Sequence, residues 1–358
     1  MRILVTGGAG FIGSHYVRTL LAGGLPGPSV SGVTVLDKLT YSGNPGNLPQ
    51  DAAGLRFVHG DVCDPGLVRA LLPGHDAVVH FAAESHVDRS IESAGDFFRT
   101  NVLGTQVLLD AALQLGTGRI VHISTDEVYG SIPEGSWTEA SPLAPNSPYA
   151  ASKAGADMLA RSYWRTHGLN VSISRCSNNY GPYQHTEKLI PLFITNLLEG
   201  KQVPLYGDGH NIREWLHVDD HCQAIHRILV DGRAGEVYNV GGGDERSNLV
   251  IAERLVELCG ASPSAITRVA DRLGHDDRYS VDDSKIRGEL GYAPRVLLED
   301  GLVETVNWYR DNPGWWKSVK RRPGQPSAAP VEAPPAVRTV LGDPGHELTG
   351  GAHAVERG

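Results

Sequence analysis

Long apolar runs, paired cysteines and an excess of basic residues are all missing from this sequence of 358 residues. No run approaches the roughly 18 uncharged apolar residues of a membrane span, so we expect no membrane partner. The four cysteines form no Cys-x-x-Cys pair, which disfavours a disulfide framework or a zinc site and favours a cytoplasmic protein. Because 32 Lys and Arg face 41 Asp and Glu, a net charge of −9, we also expect no nucleic-acid partner.

What is present is an alternation of short apolar runs with helical stretches. The expected strands are Arg2–Thr6, Val33–Asp37, Leu55–His59, Ala77–Phe81, Arg119–Ser124 and Val171–Arg175. The expected helices between them include Ser14–Ala22, Pro65–Leu72, Phe97–Leu115 and Ala150–His167. The composition of the runs predicts strands buried on both faces, and their order predicts an α/β fold with a doubly wound parallel sheet of Rossmann type.

The pattern changes twice along the chain. We expect residues 1–178 to form the dinucleotide-binding domain and residues 179–318, richer in Gly and Pro, to form a smaller lobe over the carboxyl edge of the sheet. The segment 319–358 has few large apolar side chains and contains Pro-Gly-Gln-Pro and Ala-Pro-Pro-Ala. Its composition predicts a disordered tail, because it offers too little apolar surface to offset the entropy of ordering.

The first expected strand leads directly into a glycine-rich turn. Gly7, Gly10 and Gly13 match G-x-x-G-x-x-G, and Gly8, Gly10 and Gly13 match G-x-G-x-x-G. Glycine is needed here because the turn is tight, the backbone approaches a pyrophosphate and the next helix packs closely on the strand. The same start leaves no room for a signal peptide, so we expect none.

An acidic residue ends the second expected strand, and another lies just past the third. Asp37 lies where a carboxylate accepts hydrogen bonds from the adenosine ribose and repels a 2′-phosphate, which favours NAD over NADP. The adjacent Lys38 weakens that preference. Asp61 is placed either to meet adenine or to cap the helix that starts near Pro65.

Two further patterns indicate proton chemistry. Tyr149 and Lys153 are four residues apart and share a helix face, where the ammonium group can lower the phenol's pKa; the plain alternative is an exposed helix on which the two merely touch. Thr125, Asp126 and Glu127 follow a strand at its carboxyl end, where ligands bind such sheets. The two acids could serve as proton donor and acceptor, or they could cap the next turn.

At this point the chain resembles a known family. The glycine turn, Tyr149-x-x-x-Lys153 and the strand rhythm are similar to the extended short-chain dehydrogenase/reductases. Within these, it resembles the dTDP-glucose 4,6-dehydratases over roughly residues 1–318. The resemblance is carried by the segments 37–41, 82–90, 125–130, 176–183, 188–191, 213–216 and 271–276.

The resemblance implies a chemical role for each of the five central residues. Tyr149 would be the base for the carbon 4 hydroxyl, with Lys153 beside it and Thr125 bonded to the carbon 4 oxygen. Glu127 would remove the carbon 5 proton, and protonated Asp126 would donate to the departing carbon 6 hydroxyl. NAD would be the cofactor, restored in every turnover and retained by the protein.

The resemblance also implies two sets of binding residues. The implied NAD set is Gly7, Gly10, Phe11, Ile12, Gly13, Asp37, Lys38, Leu39, Thr40, Asp61, Val62, Phe81, Ala82, Ala83, Glu84, Ser85, Thr100, Tyr149, Lys153 and Asn179. The implied set for dTDP-glucose is Ser85, His86, Thr125, Asn178, Glu187, Lys188, Leu189, Pro204, Leu205, Tyr206, Arg213, Asn248, Asp271, Arg272, Leu273, Gly274 and His275. Arg213 is the expected diphosphate clamp, against the alternative of a solvated surface charge.

Other interpretations stay open. A nucleotide-sugar 4-epimerase or decarboxylase would use the same Tyr149 and NAD but would not need the acid pair. A non-catalytic NAD-sensing protein would not need Tyr149 and Lys153 together with the acid pair. His217 and His221 have metal-ligand spacing but lack the Glu of His-Glu-x-x-His, so we expect no metal, with Asp219 or Asp220 as a helix cap. The helices at Phe97–Leu115 and Ala150–His167 resemble the paired-helix interface of the family, which implies a homodimer.

Overall fold

A computed structural model describes residues 1–320 of the chain. Its strands are β1 (Arg2–Thr6), β2 (Gly32–Asp37), β3 (Leu55–His59), β4 (Ala77–His80), β5 (Arg119–Thr125), β6 (Val171–Cys176), β7 (Asn178–Tyr180), β8 (Val203–Tyr206), β9 (Ile212–His217), β10 (Val237–Val240), β11 (Asp244–Ser247) and β12 (Ile266–Val269). All six strands expected from the sequence are present, with ends that differ by one residue at most.

The helices are α1 (Phe11–Leu21), α2 (Pro65–Leu71), α3 (Val87–Glu92), α4 (Gly95–Phe97), α5 (Gly104–Leu115), α6 (Pro148–His167), α7 (Leu189–Leu198), α8 (Val218–Asp231), α9 (Asn248–Cys259), α10 (Ser284–Leu290), α11 (Leu298–Asp311) and α12 (Pro313–Lys320). A π-helical segment, Phe98–Leu103, joins α4 to α5, and 3-10 helices lie at Pro45–Asn47, Asp126–Tyr129 and Pro263–Ala265. Within residues 1–320, every helix is too short or too polar to cross a lipid bilayer.

Seven strands form one parallel sheet in the order β10-β6-β5-β4-β1-β2-β3. The strand order reverses next to β1, which pairs with β2 on one side and with β4 on the other. Helices cover both faces over two apolar clusters, so the expected doubly wound α/β fold is confirmed. In such sheets a ligand crevice opens at the carboxyl ends of the strands where the order reverses.

One expectation about burial is wrong. Strand β3 lies at the edge of the sheet, and its residues Arg56, Phe57 and His59 are exposed. An edge strand has a neighbour on one side only, so an apolar run does not ensure burial on both faces.

The seventh strand comes from the half of the chain expected to form the separate lobe. Strand β10 pairs in parallel with β6, and buried residues of α8 join the same core as β1. The boundary expected at residue 178 therefore separates strands that share one sheet. A four-residue strand between Gly235 and Gly241 has little sequence signal of its own.

The remaining elements pack as the C-terminal lobe. Two small sheets, ordered β11-β9-β7 and β12-β8, combine with α7, α9, α11 and α12 around a core rich in Leu, Ile and aromatic residues. Val319 is buried in α12, so the packed chain extends to Lys320, two residues past the expected end of the lobe. The rest of the expected tail, residues 321–358, lies outside the described residues.

Candidate active site

The glycine turn after β1 is shaped for close approach of a ligand. Gly7 has φ +69°, and a Cβ atom there would lie 2.6 Å from the backbone N of Ala82. A Cβ atom on Gly13 would lie 2.4 Å from the carbonyl O of Gly7. Helix α1 begins directly after Gly10, which provides no side-chain cap. Its free amide groups suit a phosphate, so the turn fits the pyrophosphate of a dinucleotide.

A cavity of ≈ 270 Å³ opens at the carboxyl ends of the strands. It is lined by nearly all residues of the implied NAD set: Gly7, Gly10, Phe11, Ile12, Gly13, Asp37, Lys38, Thr40, Asp61, Val62, Phe81, Ala82, Ala83, Glu84, Ser85, Thr100, Tyr149, Lys153 and Asn179. Leu39 of that set is not on the wall. Its backbone N–H instead donates to Asp37 Oδ1 at 2.8 Å.

The acidic residues Asp37, at the end of β2, and Asp61, just past β3, are held by specific contacts. Asp37 Oδ2 accepts a 2.9 Å hydrogen bond from the N–H of Ala9 in the glycine turn. Asp61 Oδ2 lies 2.8 Å from Lys38 Nζ, so this cation is paired with a carboxylate. The capping alternative for Asp61 is wrong, because Asp64 caps α2. The arrangement fits a ribose without a 2′-phosphate.

Tyr149 and Lys153 both lie on the cavity wall at the start of α6. Both are buried, so the alternative of an exposed helix is wrong. Lys153 Nζ donates to the carbonyl O of Ile123 at 2.5 Å, and burial lowers the Lys153 pKa to about 8. The Tyr149 pKa is raised well above its ordinary value, first by burial and then by the Glu127 carboxylate. The expected lowering is thus not observed, because burial disfavours the phenolate more strongly than the surrounding groups favour it.

Thr125, Asp126 and Glu127 pass from the end of β5 into a 3-10 turn. The Thr125 hydroxyl accepts from the Glu127 N–H, so the capping group is the threonine and the two acids remain available. Asp126 is 2% exposed, and its Oδ2 has no hydrogen-bond partner among residues 1–320. Burial, Glu127 and Glu214 raise the Asp126 pKa well above its usual range. This carboxyl group therefore favours its protonated form.

Glu127 has different neighbours. Burial raises its pKa, but the cations of Lys188, Arg213 and Arg272 oppose that rise. Of the two adjacent acids, Glu127 is therefore the one whose ionised form is supported. Environments that separate two carboxyl groups in this way are typical of an acid–base pair.

The implied substrate residues fall into two places. Ser85, Thr125, Asn178 and Lys188 line the cavity, and Lys188 Nζ donates to the carbonyl O of Ser85 at 2.7 Å. The others lie outside its wall: His86, Glu187, Leu189, Pro204, Leu205, Tyr206, Arg213, Asn248, Asp271, Arg272, Leu273, Gly274 and His275.

Several outer residues have defined partners. Arg272 pairs with Asp88 at 2.6 Å, and Glu187 pairs with Arg89 at 2.6 Å. Arg213 is only 6% exposed, with one guanidinium nitrogen donating to the carbonyl O of Asp276 at 2.9 Å. The alternative of a solvated surface charge is therefore wrong for Arg213.

Sequence reasoning missed some of the cavity wall. The missed residues are Leu36, Ser42, Gly43, Gly60, Ile123, Ser124, Cys176, Ser177, Gln184 and His185. Leu36, Gly60, Ser124 and Cys176 directly adjoin strand ends, a position that could have identified them. Gln184 and His185 lie in a loop without such a signal.

The histidine pair at the start of α8 has structural partners. His217 is the N-cap of α8 and accepts from the Asp219 N–H, so the expected capping by Asp219 or Asp220 is wrong. His221 Nδ1 lies 2.8 Å from Asn179 Oδ1. Residues 1–320 contain no group of three or more His, Cys, Asp or Glu arranged to hold a metal ion.

Comparison with known proteins agrees with this geometry. Residues 4–305 match the family model described as GDP-mannose 4,6 dehydratase. A dTDP-glucose 4,6-dehydratase of Streptomyces niveus is 62% identical over 93% of this chain and 99% of its own. The crystal structure of the dTDP-glucose 4,6-dehydratase DesIV from Streptomyces venezuelae, with NAD and dTDP bound, is 63% identical, with TM-score 0.88 over 89% of this chain and 100% of that one. A UDP-glucose 4-epimerase of Thermus thermophilus in complex with NAD is 34% identical, with TM-score 0.80 over 87% of this chain and 100% of that one.

Proposed function

Because the chain belongs to the GDP-mannose 4,6-dehydratase family, we propose that it is an NAD-dependent hydro-lyase that converts dTDP-glucose to dTDP-4-dehydro-6-deoxyglucose and water. The observation that carries this proposal is the pair of adjacent acids in the cavity. Asp126 favours its protonated form, while three cations support ionised Glu127. Loss of water across carbons 5 and 6 needs one proton donor and one proton acceptor at this position.

The residues divide the reaction between them. Tyr149 takes the proton of the carbon 4 hydroxyl, and Thr125 holds the carbon 4 oxygen. Glu127 removes the proton of carbon 5, which the ketone at carbon 4 has made acidic. Asp126 gives its proton to the leaving hydroxyl of carbon 6, and carbon 5 is then reprotonated. NAD, when bound, supplies hydride chemistry by accepting a hydride from carbon 4 and returning it to carbon 6.

Tyr149 needs help to act as a base, because burial and Glu127 oppose its ionisation. The Thr125 side chain opposes that effect and favours the ionised form of the phenol. Lys153, whose Nζ donates to the carbonyl O of Ile123, adds a cation to the cavity wall that Tyr149 also lines. We assign Lys153 the further task of holding the nicotinamide ribose.

The nucleotide diphosphate carries negative charge and needs cations. Arg213 is buried, and its guanidinium carbon Cζ lies 4.4 Å from the centroid of the Tyr279 ring. This contact fixes the guanidinium group in place. We assign Arg213 to the diphosphate, because its planar fork matches two phosphate oxygens.

A 4-epimerase is the alternative function within the same fold. The epimerase relative shares 34% identity with this chain, against 62% for the dehydratase relative. An epimerase has no use for a protonated Asp126 beside Glu127, and an NAD-sensing protein has no use for Tyr149 with Lys153. The acid pair therefore favours dehydration.

We further propose that the protein is a cytoplasmic homodimer. Phe98, Leu103 and Leu115, from the π-helical segment and α5, and Met158 of α6 present large apolar side chains that are 45–57% exposed. These helices pack side by side, so a second copy could cover both. The cytoplasmic assignment follows from the four unpaired cysteines.

The direct test mixes purified protein with dTDP-glucose in deuterated water, without added cofactor, and follows the sugar by NMR. We expect a 4-keto-6-deoxy sugar with deuterium at carbon 5, which requires retained NAD and an exchanging acid–base pair. Formation of the galactose epimer, or recovery of unchanged dTDP-glucose from protein shown to contain NAD, would contradict the proposal.

A further inference from the structure

A chain of two hydrogen bonds connects α12 with the glycine turn that follows β1. Trp315 Nε1 donates to Asn47 Oδ1 at 2.8 Å. Nδ2 of the same buried Asn47 donates to the carbonyl O of Ala9 at 3.0 Å. Ala9 lies between Gly8 and Gly10, so an indole near the end of the described chain is two hydrogen bonds from the proposed pyrophosphate cradle.

The Ala9 peptide groups are held from several directions. The Ala9 N–H donates to Asp37 Oδ2 at 2.9 Å, and the Ala9 carbonyl accepts from the N–H of Asn44 at 3.0 Å as well as from Asn47. Flanking glycines leave a backbone free to rotate. The orientation of this turn therefore depends on these contacts. Of the residues that make them, Asn47 is the one that is hydrogen-bonded to α12.

Aromatic packing fixes the position of Trp315. Its ring centroid lies 5.2 Å from that of Trp308 and 5.5 Å from that of Tyr183, both in edge-on geometry. Arg18 of α1 lies 4.1 Å from the Tyr183 ring centroid and donates to the carbonyl O of Asn47 at 2.6 Å. Asn47 is thus bound through its side chain and its backbone to the same aromatic cluster.

We propose that Trp315 is a positioning residue for the NAD site, which holds the glycine turn through Asn47 and thereby sets how long the dinucleotide is retained. Trp315 does not line the cavity, so it acts through the turn and not by contact with the ligand. The inference rests on the NAD binding included in the proposed function, and it concerns retention of NAD and not the dehydration step.

The test compares two neighbouring tryptophans. Trp315→Phe keeps an aromatic ring and removes the hydrogen bond to Asn47. Trp316→Phe is the matched control, because Trp316 Nε1 donates at 2.7 Å to the carbonyl O of Tyr309, inside the C-terminal lobe. Purified holoenzyme is mixed with labelled NAD, and the rate of exchange is measured without substrate. Loss of one hydrogen bond predicts release about five-fold faster for Trp315→Phe, and an unchanged rate for Trp316→Phe.

A second variant tests the next link. Asn47→Asp keeps an oxygen acceptor for Trp315 and loses the donor to Ala9, so it should also release NAD faster. The double variant Trp315→Phe/Asn47→Asp should release NAD no faster than Asn47→Asp, because both changes break one chain of contacts.

Two outcomes would overturn the inference. One is a native exchange rate in Trp315→Phe, and the other is equally fast release from Trp316→Phe, which would indicate general loosening of the lobe. Thermal unfolding should be alike in the two variants, and the KM for dTDP-glucose of Trp315→Phe should stay native when NAD is saturating. Since NAD exchange is measured without turnover, absence of dehydration would appear as a separate result.

Discussion

The hydroxyl of Thr125 donates a 3.2 Å hydrogen bond to Oδ1 of Asp126, the buried carboxyl group next to Glu127. This contact and Arg213 favour the ionised form of Asp126, but burial and two neighbouring carboxylates outweigh them and raise the Asp126 pKa. Asp126 therefore favours its protonated form, and its Oδ2 has no hydrogen-bond partner within residues 1–320. A protonated carboxyl group with an open oxygen is what a leaving hydroxyl requires.

We expect Asp126→Asn to separate the two halves of the reaction. The amide has nearly the same shape and can still bond to Thr125, so oxidation at carbon 4 should survive. It cannot donate a proton to the leaving hydroxyl, so water loss should slow by about 10²–10⁴-fold. Rapid quenching and mass spectrometry should detect a 4-keto sugar that keeps its carbon 6 oxygen.

A matched substitution serves as the control for that experiment. Asp64 caps α2 through the N–H groups of Gly66 and Leu67, and Asn is an equally good cap. Asp64→Asn should therefore dehydrate at the native rate. Native water loss by Asp126→Asn would remove Asp126 from the role of general acid.

The pH dependence of turnover should depend on the cations around Glu127, because they lower the Glu127 pKa. In the proposed mechanism turnover needs ionised Glu127, so it should fall as the pH decreases through the Glu127 pKa, which burial places above the ordinary glutamate value. Lys188 is the first of the cations that lower this pKa. Lys188→Met removes that charge, disfavours the carboxylate and should move the acidic limb of the kcat profile to higher pH.

Lys188 lines the cavity, so its substitution is expected to change KM for the substrate as well, but not the position of this limb in the kcat profile. The comparison variant is Lys285→Met, which removes a partly buried lysine that pairs with Glu236 at 2.7 Å and does not line the cavity. Its kcat profile should match that of the native chain. An acidic limb that stays in place in Lys188→Met would show that Glu127 is not the titrating base.

The sequence predicts this fold well where the signal is local. The buried residues Ile3–Val5 of β1 are all apolar, which the sequence shows directly. Gly7 is needed because a Cβ atom would collide with Ala82. Contacts between segments that are distant in the chain could not be predicted from the sequence. The membership of β10 in the main sheet and the burial of Arg213 both depend on contacts between distant segments. The expected lowering of the Tyr149 pKa is wrong for the same reason, because the spacing identifies its neighbour Lys153 and not the degree of burial.

An ion pair that is buried between α6 and β6 should be costly to break. Arg175 Nε donates to Asp157 Oδ2 at 2.8 Å, and both side chains are buried. Burial alone would raise the Asp157 pKa, yet Arg175 and His122 lower it to about 2. Asp157→Asn leaves the guanidinium group buried without its counter-charge. Urea unfolding should show a loss of about 3–5 kcal/mol.

The sign of the pH effect follows from the lowered pKa. The stabilisation by Asp157 is present above the ordinary aspartate pKa and is lost as the pH falls toward about 2. Glu289→Gln breaks the exposed pair with Arg233 and should destabilise the protein far less than Asp157→Asn, because solvent screens this pair. Equal losses in the two variants would contradict a special role for the buried pair.

The exposed apolar face of α5 and α6 leads to a prediction about assembly. Met158 of α6 is 57% exposed, so a charge at this position should be harmless in a monomer and costly at a buried interface. We expect light scattering to give the mass of two chains for the native protein and of one chain for Met158→Glu. Val303→Glu, on a 39% exposed residue of α11, places the same charge on another surface and should leave the dimer intact. A native protein with the mass of one chain would exclude the homodimer, and a dimeric Met158→Glu would locate the interface elsewhere.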